Sequence, residues 1–481
     1  MKKSFACLLL AALMLLSSCG NATNGTETKN SNSSNESDSN ASSEAEDGLG
    51  EHDFGGAEFR IYTRVTQLFY PYLDVQEETA DVLNDAVYRR NRKLEERFNF
   101  TFREDYYNND DLGGNASPEK LLMSGDDIYD LYVGRNVHMF NWAVEGFFHQ
   151  IKDLPYVDIT EPWWNPELTE ALSLCGKQYF AAGTFNISSY DYTHVLLFNK
   201  DMAEKYQLDD LYETVRSGKW TYDSFAENAR TVVSDLNGDS VMDEEDQYGY
   251  TSLAKQVMPA LWISAGCTSV KKDNDGKLFF SAPTDQKFID VYQRIFTITW
   301  DDNIWHQVPV AVDGEEEKEL FSTGHSLFTN ASCYQISTMR DSSVDFGVLP
   351  YPKYDEAQEK YYSRIEGCEL FGVPLTNSNI EMTSVVLEAM AYESLKSVVP
   401  AYYDITLKVK LTRDDESADM LDIVFANRVF DYGDTLLCGE FRDGVVRDAF
   451  AKGNQNAVSL LTSAEKQVNR KIDQLNSAFS D

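Results

Sequence analysis

Twelve residues, Asp235 to Asp246 (DLNGDSVMDEED), carry oxygen ligands at a spacing that suits a hard divalent cation. With Asp235 as position 1, Asn237, Asp239, Asp243 and Asp246 fall at positions 3, 5, 9 and 12, and the Val241 carbonyl stands at position 7. Calcium is held by oxygens at these places in a twelve-residue loop. The expected chemistry is therefore a structural Ca2+ clip rather than a reaction centre. Two residues depart from the pattern: Ser240 stands where the sharp turn favours glycine, and Asp246 is shorter than the usual bidentate glutamate. A solvated acidic loop is the plainer reading of the same residues. Catalytic constellations are thin. The chain has no G-x-S-x-G, no H-E-x-x-H and no phosphate-cradling glycine loop. Its six histidines are not at metal-ligand spacing, and among 79 Asp and Glu a carboxylate pair would mean little.

The elements that must position such residues read as alternating strands and helices. Glu58–Val65, Thr101–Tyr107 and Ile128–Val133 are strand-like, and from Asp81 onward Leu83, Val87, Leu94 and Phe98 recur on one helical face. This alternation predicts parallel sheets built from β-α-β units. The Pro- and Trp-rich stretch Leu154–Pro166 reads as a crossing between lobes, and Tyr179–Asn199 holds two further strand candidates. Lys200–Ser234 is helical, with Thr221 an N-cap. Leu327–Pro352 reads as strand, short helix, strand, and Met382–Leu395 as an apolar helix. Thr462 and Glu465 form a capping box before a last helix striped by Val468, Ile472, Leu475 and Phe479.

The outer features bound the function. Lys2 and Lys3 precede an apolar run, Ala6–Leu16, too short to span a bilayer, so residues 1–18 read as a secretory signal peptide. Leu16-Ser17-Ser18-Cys19 resembles the bacterial lipobox, which implies that Cys19 is lipidated and anchors the chain to the cell membrane, at its extracellular face. Residues 19–52 are Asn-, Ser-, Thr- and Glu-rich and read as a disordered tether. The remaining body exceeds what one core usually organises, so two lobes are expected. Its boundaries read as 53–160 for the first part of lobe 1 and 161–320 for the first part of lobe 2, including the calcium-like loop 235–246. Residues 321–481 are the return segments that complete both lobes. A formal charge of −37 with no basic patch disfavours nucleic acid. Cys175, Cys267, Cys333, Cys368 and Cys438 are odd in number and scattered, so neither disulfides nor zinc is indicated.

Several segments carry a resemblance: Tyr129-Asp130-Leu131, Pro162-Trp163-Trp164-Asn165, Phe198-Asn199-Lys200-Asp201, Gly218–Asp223 (GKWTYD), Asp345–Lys353 (DFGVLPYPK) and Pro400–Tyr403 (PAYY). In this order, behind a lipobox and spanning nearly the whole mature chain, they resemble the family 1 extracellular solute-binding proteins of ABC importers. The loop 235–246 resembles the calcium loops of EF-hands and, with aspartate at position 12, those of dockerins, which carry two such loops where this chain has one. The resemblance implies an α/β, two-lobed periplasmic-binding-protein-like fold (type II) with the ligand cleft between the lobes. It also implies a monomer that delivers its solute to the ABC transporter permease subunits, and no catalysis. A carbohydrate ligand needs aromatic faces against sugar C–H groups and polar side chains for hydroxyls. Family position implies Tyr62, Arg64, Arg135, Asn136, Tyr190, Tyr192, Trp262, Asn330 and Glu366 at strand ends facing the cleft, with Trp163 and Trp164 at the lobe crossing. A core place is the plainer expectation for each aromatic, and a surface ion pair for each arginine. A secreted carbohydrate-active enzyme, or a calcium-stabilised adhesion or scaffold lipoprotein, is the alternative reading. A peptide or another polar solute is the alternative ligand.

Overall fold

The computed structural model describes residues 47–65, 73–108, 117–300, 304–308, 318–339, 342–403 and 414–480. The signal segment, Cys19 and most of the tether lie outside the described residues.

Strands β1 (Ala57–Val65), β2 (Phe100–Asn108) and β3 (Leu131–Arg135) follow one another through helices, as the alternating pattern requires. The helix Val82–Phe98 joins the first two. It starts because the Asp81 carboxylate accepts from Leu83 N–H and Asn84 N–H, and it ends at Asn99, whose φ of 51° breaks the ladder. Its buried stripe is Leu83, Val87, Leu94 and Phe98, with Arg90 and Asn91 also enclosed. β2 and β3 pair in parallel with β1 on its two sides. The fourth strand, β12 (Glu369–Gly372), arrives late in the chain and pairs antiparallel to β3.

The second sheet contains β4 (His194–Asn199), β5 (Tyr248–Ser252), β8 (Trp305–Gln307), β9 (Ser326–Ser332) and β10 (Phe346–Leu349), in the order β10-β4-β9-β5-β8. β5 is parallel to β8 and β9, whereas β4 is antiparallel to both β9 and β10. Both sheets are thus mixed, where strand–helix alternation predicted parallel ones. A segment entering from the other lobe need not keep the direction set by a local β-α-β unit. β6 (Val270–Lys272) and β7 (Leu278–Phe280) form a separate antiparallel hairpin, tied through Leu278 to Asn476 near the C-terminus.

The segment 154–166 does not cross. Leu154, Trp164, Ala181 and Phe185 sit in one core with Phe59, Ile61, Leu131 and Phe371, so the chain stays on the first lobe well past residue 161. The crossing comes at Thr193, which bridges antiparallel to Ile365. Beside it, β11 (Ser363–Arg364) pairs in parallel with β13 (Arg428–Val429). Three short segments therefore meet between the sheets, tied by Glu366 N–H to the Tyr192 carbonyl, Ile365 N–H to the Val429 carbonyl and Ser363 N–H to the Asn427 carbonyl.

Tyr222–Val232 is helical, with Thr221 Oγ1 accepting from Ser224 N–H at 3.4 Å. Tyr179–Asn199 yields only β4, its earlier half being taken by irregular chain and the short helix Ser188–Asp191. The last helix runs Ala457–Ser480, five residues earlier than Thr462 suggested. Asn456 caps it through Ser459 N–H at 3.1 Å, and Thr462 is an exposed residue of its interior. The extra turn buries Ala457, Leu461 and Ala464 below the expected stripe.

Candidate functional site

The three crossing segments carry charge into a largely buried place between the sheets. Glu366 extends from the middle one. Its carboxylate lies 3.1 Å from His194 Nε2 at the start of β4 and 3.2 Å from Gln256 Nε2 on the helix Ala254–Ser264. Two guanidinium groups flank it, Arg442 at 3.5 Å and Arg364 at 3.7 Å. Burial works against the charge of Glu366, yet Arg364, the His194 hydrogen bond and Arg442 hold its carboxyl well below the usual range.

Behind it, fully buried Asp434 accepts from Arg364 Nε at 2.6 Å and Nη2 at 2.8 Å, and from Arg442 Nη1 at 3.2 Å. Arg364 Nη1 also donates to the Gln256 side-chain oxygen. Asp431, one turn earlier, accepts the Trp262 indole N–H at 2.9 Å and the Ser269 N–H at 2.9 Å.

The first lobe meets this network through β12 and the ends of β1 and β3. Glu369 receives Arg64 Nη1 at 2.6 Å and stands opposite Arg135 in the sheet register. Burial pushes the Glu369 carboxyl up, with Arg64 opposing. Asn136 follows Arg135, and its N–H donates to the Cys368 carbonyl at 3.2 Å. Tyr192 is half-buried between the two carboxylates, and burial, then Glu369, hold its hydroxyl protonated.

Several polar atoms of this place are buried with no hydrogen-bond partner among the described residues: Arg64 Nε, Asn136 Nδ2, His194 Nδ1, Asn330 Nδ2 and Glu369 Oε2. Asn330 sits on β9 opposite Leu196, its Oδ1 accepting from Ser252 Oγ at 2.6 Å. Buried polar groups are almost always satisfied, and an orphaned one costs about 1–3 kcal/mol. Five of these atoms lie on the elements that meet at the lobe junction.

Of the residues anticipated from sequence, Arg64, Arg135, Asn136, Tyr192, Asn330 and Glu366 belong to this junction. Of the others, Trp262 is buried behind the junction on Asp431, and the rest are elsewhere. Trp163 and Trp164 donate their indole N–H groups, each at 2.8 Å, to the two oxygens of Glu388 in the core of the first lobe. Tyr62 is stacked on Tyr129, 4.6 Å between ring centres, under the first sheet. Tyr190 is buried under the Arg428 guanidinium at 4.3 Å, and Trp262 is 1 % exposed. In each case a distant polar partner or a ring already fills the aromatic's surroundings. Sequence reading missed His194, Gln256, Arg364, Glu369, Asp434 and Arg442. Their signal was a charge set in apolar sequence, as in Ser363-Arg364-Ile365 and Phe430–Leu437 (FDYGDTLL).

The loop 235–246 closes on its own backbone. Asp235 accepts from Gly238 N–H at 2.6 Å and Ser240 N–H at 2.8 Å, and Asp246 from Leu236 N–H at 2.8 Å and Asp243 N–H at 3.0 Å. Ser240 takes the left-handed conformation, φ 67°, that its place in the turn requires. Among the described residues no group of three or more His, Cys, Asp or Glu side chains is gathered to hold a metal ion. Asn237 donates to Glu245 at 3.3 Å. Oxygens of the right type are present, but they are spent on amides.

No protein-family model matches the chain, and no curated protein sequence matches it. Solved structures do. A cyclo/maltodextrin-binding protein complexed with maltotetraose superposes with a TM-score of 0.58 at 13% identity, covering 87% of this chain and 98% of that one. UspC of M. tuberculosis gives 0.56 at 13%, covering 87% and 100%. The ABC substrate-binding protein Lmo0181 of Listeria monocytogenes, in complex with cycloalternan, gives 0.54 at 11%, covering 87% and 99%. The chain thus has the two-lobed α/β fold of these proteins over nearly all of its length. Among the described residues no helix is long and apolar enough to cross a membrane.

Proposed function

We propose that this chain is the extracellular solute-binding lipoprotein of an ABC importer. In this reading it captures a carbohydrate between its two lobes and delivers it to the membrane permease without covalent chemistry. The observation that carries the reading is the lobe junction, where five buried polar atoms lack partners beside the crossing segments. A polyhydroxylated ligand supplies donors and acceptors together, which is what mixed orphans of this kind need. The fold supports the same reading, since proteins that share it are described as sugar-binding or ABC substrate-binding, one holding maltotetraose and another cycloalternan. Closure about a hinge is the usual motion of such proteins. Anchoring through Cys19, with residues 19–52 as tether, rests on the sequence motif and places the body at the cell surface.

The test is a thermal-shift screen of the purified protein against defined oligosaccharides, because a ligand that binds only the native state raises the melting point by mass action. Stabilisation by one saccharide class is the expected result. A response to peptides but to no sugar refutes the carbohydrate assignment.

Calcium at the loop 235–246 forms part of the proposal as a clip on the second lobe. It is supported by the ligand types at positions 1, 3, 5, 7, 9 and 12 and by the turn at Ser240. Binding would require Asp235 and Asp246 to exchange amide partners for the ion.

A further inference from the structure

Beside the last helix lies a cavity of about 460 Å³, lined by Glu440, Lys466, Gln467, Arg470, Lys471 and Gln474 among others. Its wall is one face of the last helix, where Lys466 and Arg470, and Gln467 and Lys471, stand four residues apart on successive turns. The helix braces both lobes. Lys471 Nζ donates to Asn141 of the helix Asn136–Val144 in the first lobe at 3.1 Å, and Asn476 bonds twice with Leu278 of the second-lobe hairpin at 2.9 Å. Glu440 lines the cavity, and two residues on in the chain stands Arg442, the partner of Glu366 and Asp434. Gln467 Nε2 donates to the Glu440 carbonyl at 2.5 Å.

The charge of this wall is out of keeping with the chain. The protein has 79 acidic residues against 42 basic ones, yet Lys466, Arg470 and Lys471 form no ion pair among the described residues, nor does exposed Arg135 at the end of β3. In the cavity's lining these three cations face one carboxylate, Glu440, which in so acidic a protein makes a local well of positive potential. The orphaned atoms inside agree in kind. Arg64 Nε, Asn136 Nδ2 and Asn330 Nδ2 are donors, Glu369 Oε2 is a carboxylate acceptor, and His194 Nδ1 is either, according to tautomer. An arrangement rich in cations and in unmet donors calls for a ligand rich in acceptors.

We propose that the cavity beside the last helix is a subsite for an anionic saccharide, whose carboxylate or sulfate is held by Lys466, Arg470 and Lys471 while its neutral units enter the lobe junction. The inference rests on the solute-capture reading and narrows it to acidic sugars. Arg470 can form a planar two-bonded pair with a carboxylate, and the lysines add adjustable point charges.

The test uses the full chain in isothermal titration. The probes are trigalacturonate, its carboxyl-reduced neutral trisaccharide and a sulfated glycosaminoglycan disaccharide, at 20 mM and 500 mM NaCl. The expected result is at least tenfold tighter binding of one anionic probe than of the neutral one at low salt, about the worth of one charge-assisted hydrogen bond. That preference should shrink at high salt, as exposed charges are screened. Which anionic probe wins tells carboxylate from sulfate. Lys466→Gln, Arg470→Gln and Lys471→Gln together should abolish the preference and leave affinity for the neutral trisaccharide within twofold. Circular dichroism melts serve as the control, since the three side chains reach solvent and Gln keeps a donor for Asn141. Neutral binding as tight as anionic binding, or a preference that survives the triple change, overturns the inference and leaves solute capture standing. Absence of binding by all three probes, with a neutral oligosaccharide active in the thermal screen, also overturns it. Silence from every saccharide in both experiments refutes both readings.

Discussion

Arg364 is the residue whose loss tests the junction most severely. It lies on β11, is 1 % exposed, and carries a bidentate contact to Asp434, which is itself fully enclosed. In Arg364→Met the side-chain volume is nearly kept, but Asp434 loses two of its three guanidinium contacts and keeps only Arg442 at 3.2 Å. Removing one partner of a buried ion pair costs about 3–5 kcal/mol, because the remaining charge is stranded. An unfolding entropy of roughly 0.9 kcal/mol/K for a body of this size converts that to about 3–6 °C in Tm. The reverse change, Asp434→Leu, takes the two-bonded carboxylate partner from Arg364 and one acceptor from Arg442, and should cost a similar amount. The double variant Arg364→Met/Asp434→Leu removes both charges. It should recover at least half of the summed single losses, since replacing a buried pair by apolar groups is often neutral. The assay is urea unfolding followed by both tryptophan fluorescence and far-UV circular dichroism; a two-lobed chain must show coincident transitions before a single free energy is taken. Single losses below about 1 kcal/mol, or a double variant as damaged as the sum, would refute the claim that the contact is a buried, mutually dependent pair.

Other outcomes follow from the same geometry. Glu388→Leu strands the indole N–H of Trp164, fully buried, and that of Trp163, at about 1–3 kcal/mol each, whereas Glu388→Gln keeps one acceptor and should cost roughly half as much in the same urea assay. Burial pushes the Asp191 carboxyl up to about 7 against the Tyr402 hydrogen bond. A raised folded pKa favours the folded state below the unfolded value near 4 and loses that advantage as pH climbs toward 7. Asp191→Asn should therefore gain Tm relative to the parent between pH 5 and pH 8, and a flat or falling difference would contradict the burial assigned to Asp191. Millimolar calcium should raise Tm through the loop 235–246, and Asp239→Ala should remove the rise; no response in the parent refutes the clip.

What could be read from the sequence was what neighbouring residues decide among themselves. The stripe Leu83, Val87, Leu94, Phe98 repeats within one helix and gave that helix and its buried face. Thr221 gave a helix start because a cap acts over three residues. Thr462 and Glu465 carry the same local pattern and misled, since packing of Ala457 and Leu461 on neighbouring elements pulls the helix back to Asn456. Strand direction failed for a related reason: β4 enters the second sheet and β12 the first only as the chain changes lobes, so neither takes its sense from a local β-α-β unit. The aromatics show the limit most clearly. Trp163 and Trp164 look like ligand-facing side chains until Glu388, more than 220 residues away, is seen to hold both. Half of the junction was found by family position. Arg364, Asp434 and Arg442 were invisible to it, because a buried ion pair spanning 70 residues leaves no trace at either end except a charge in apolar sequence.

The crossing itself decides where the molecule can bend. β1 and β2 share a nine-residue parallel ladder, so flexing the first sheet would break many hydrogen bonds together. Between the lobes, β11 and β13 match over two residues, and Thr193 and Ile365 form an isolated bridge. Rotation there disturbs few backbone bonds, each worth about 0.5–1.5 kcal/mol net. What resists it is the charged cluster of Glu366, Arg364, Arg442 and Asp434, seated on and beside those strands. A ligand that satisfies the orphaned Asn136, His194 and Asn330 contacts groups from both lobes across this cluster, so its binding energy is available only in the arrangement that brings them together. Of the groups that lack partners, His194 directly follows Thr193 of the crossing, while Asn136 and Asn330 approach it from the end of β3 and from β9.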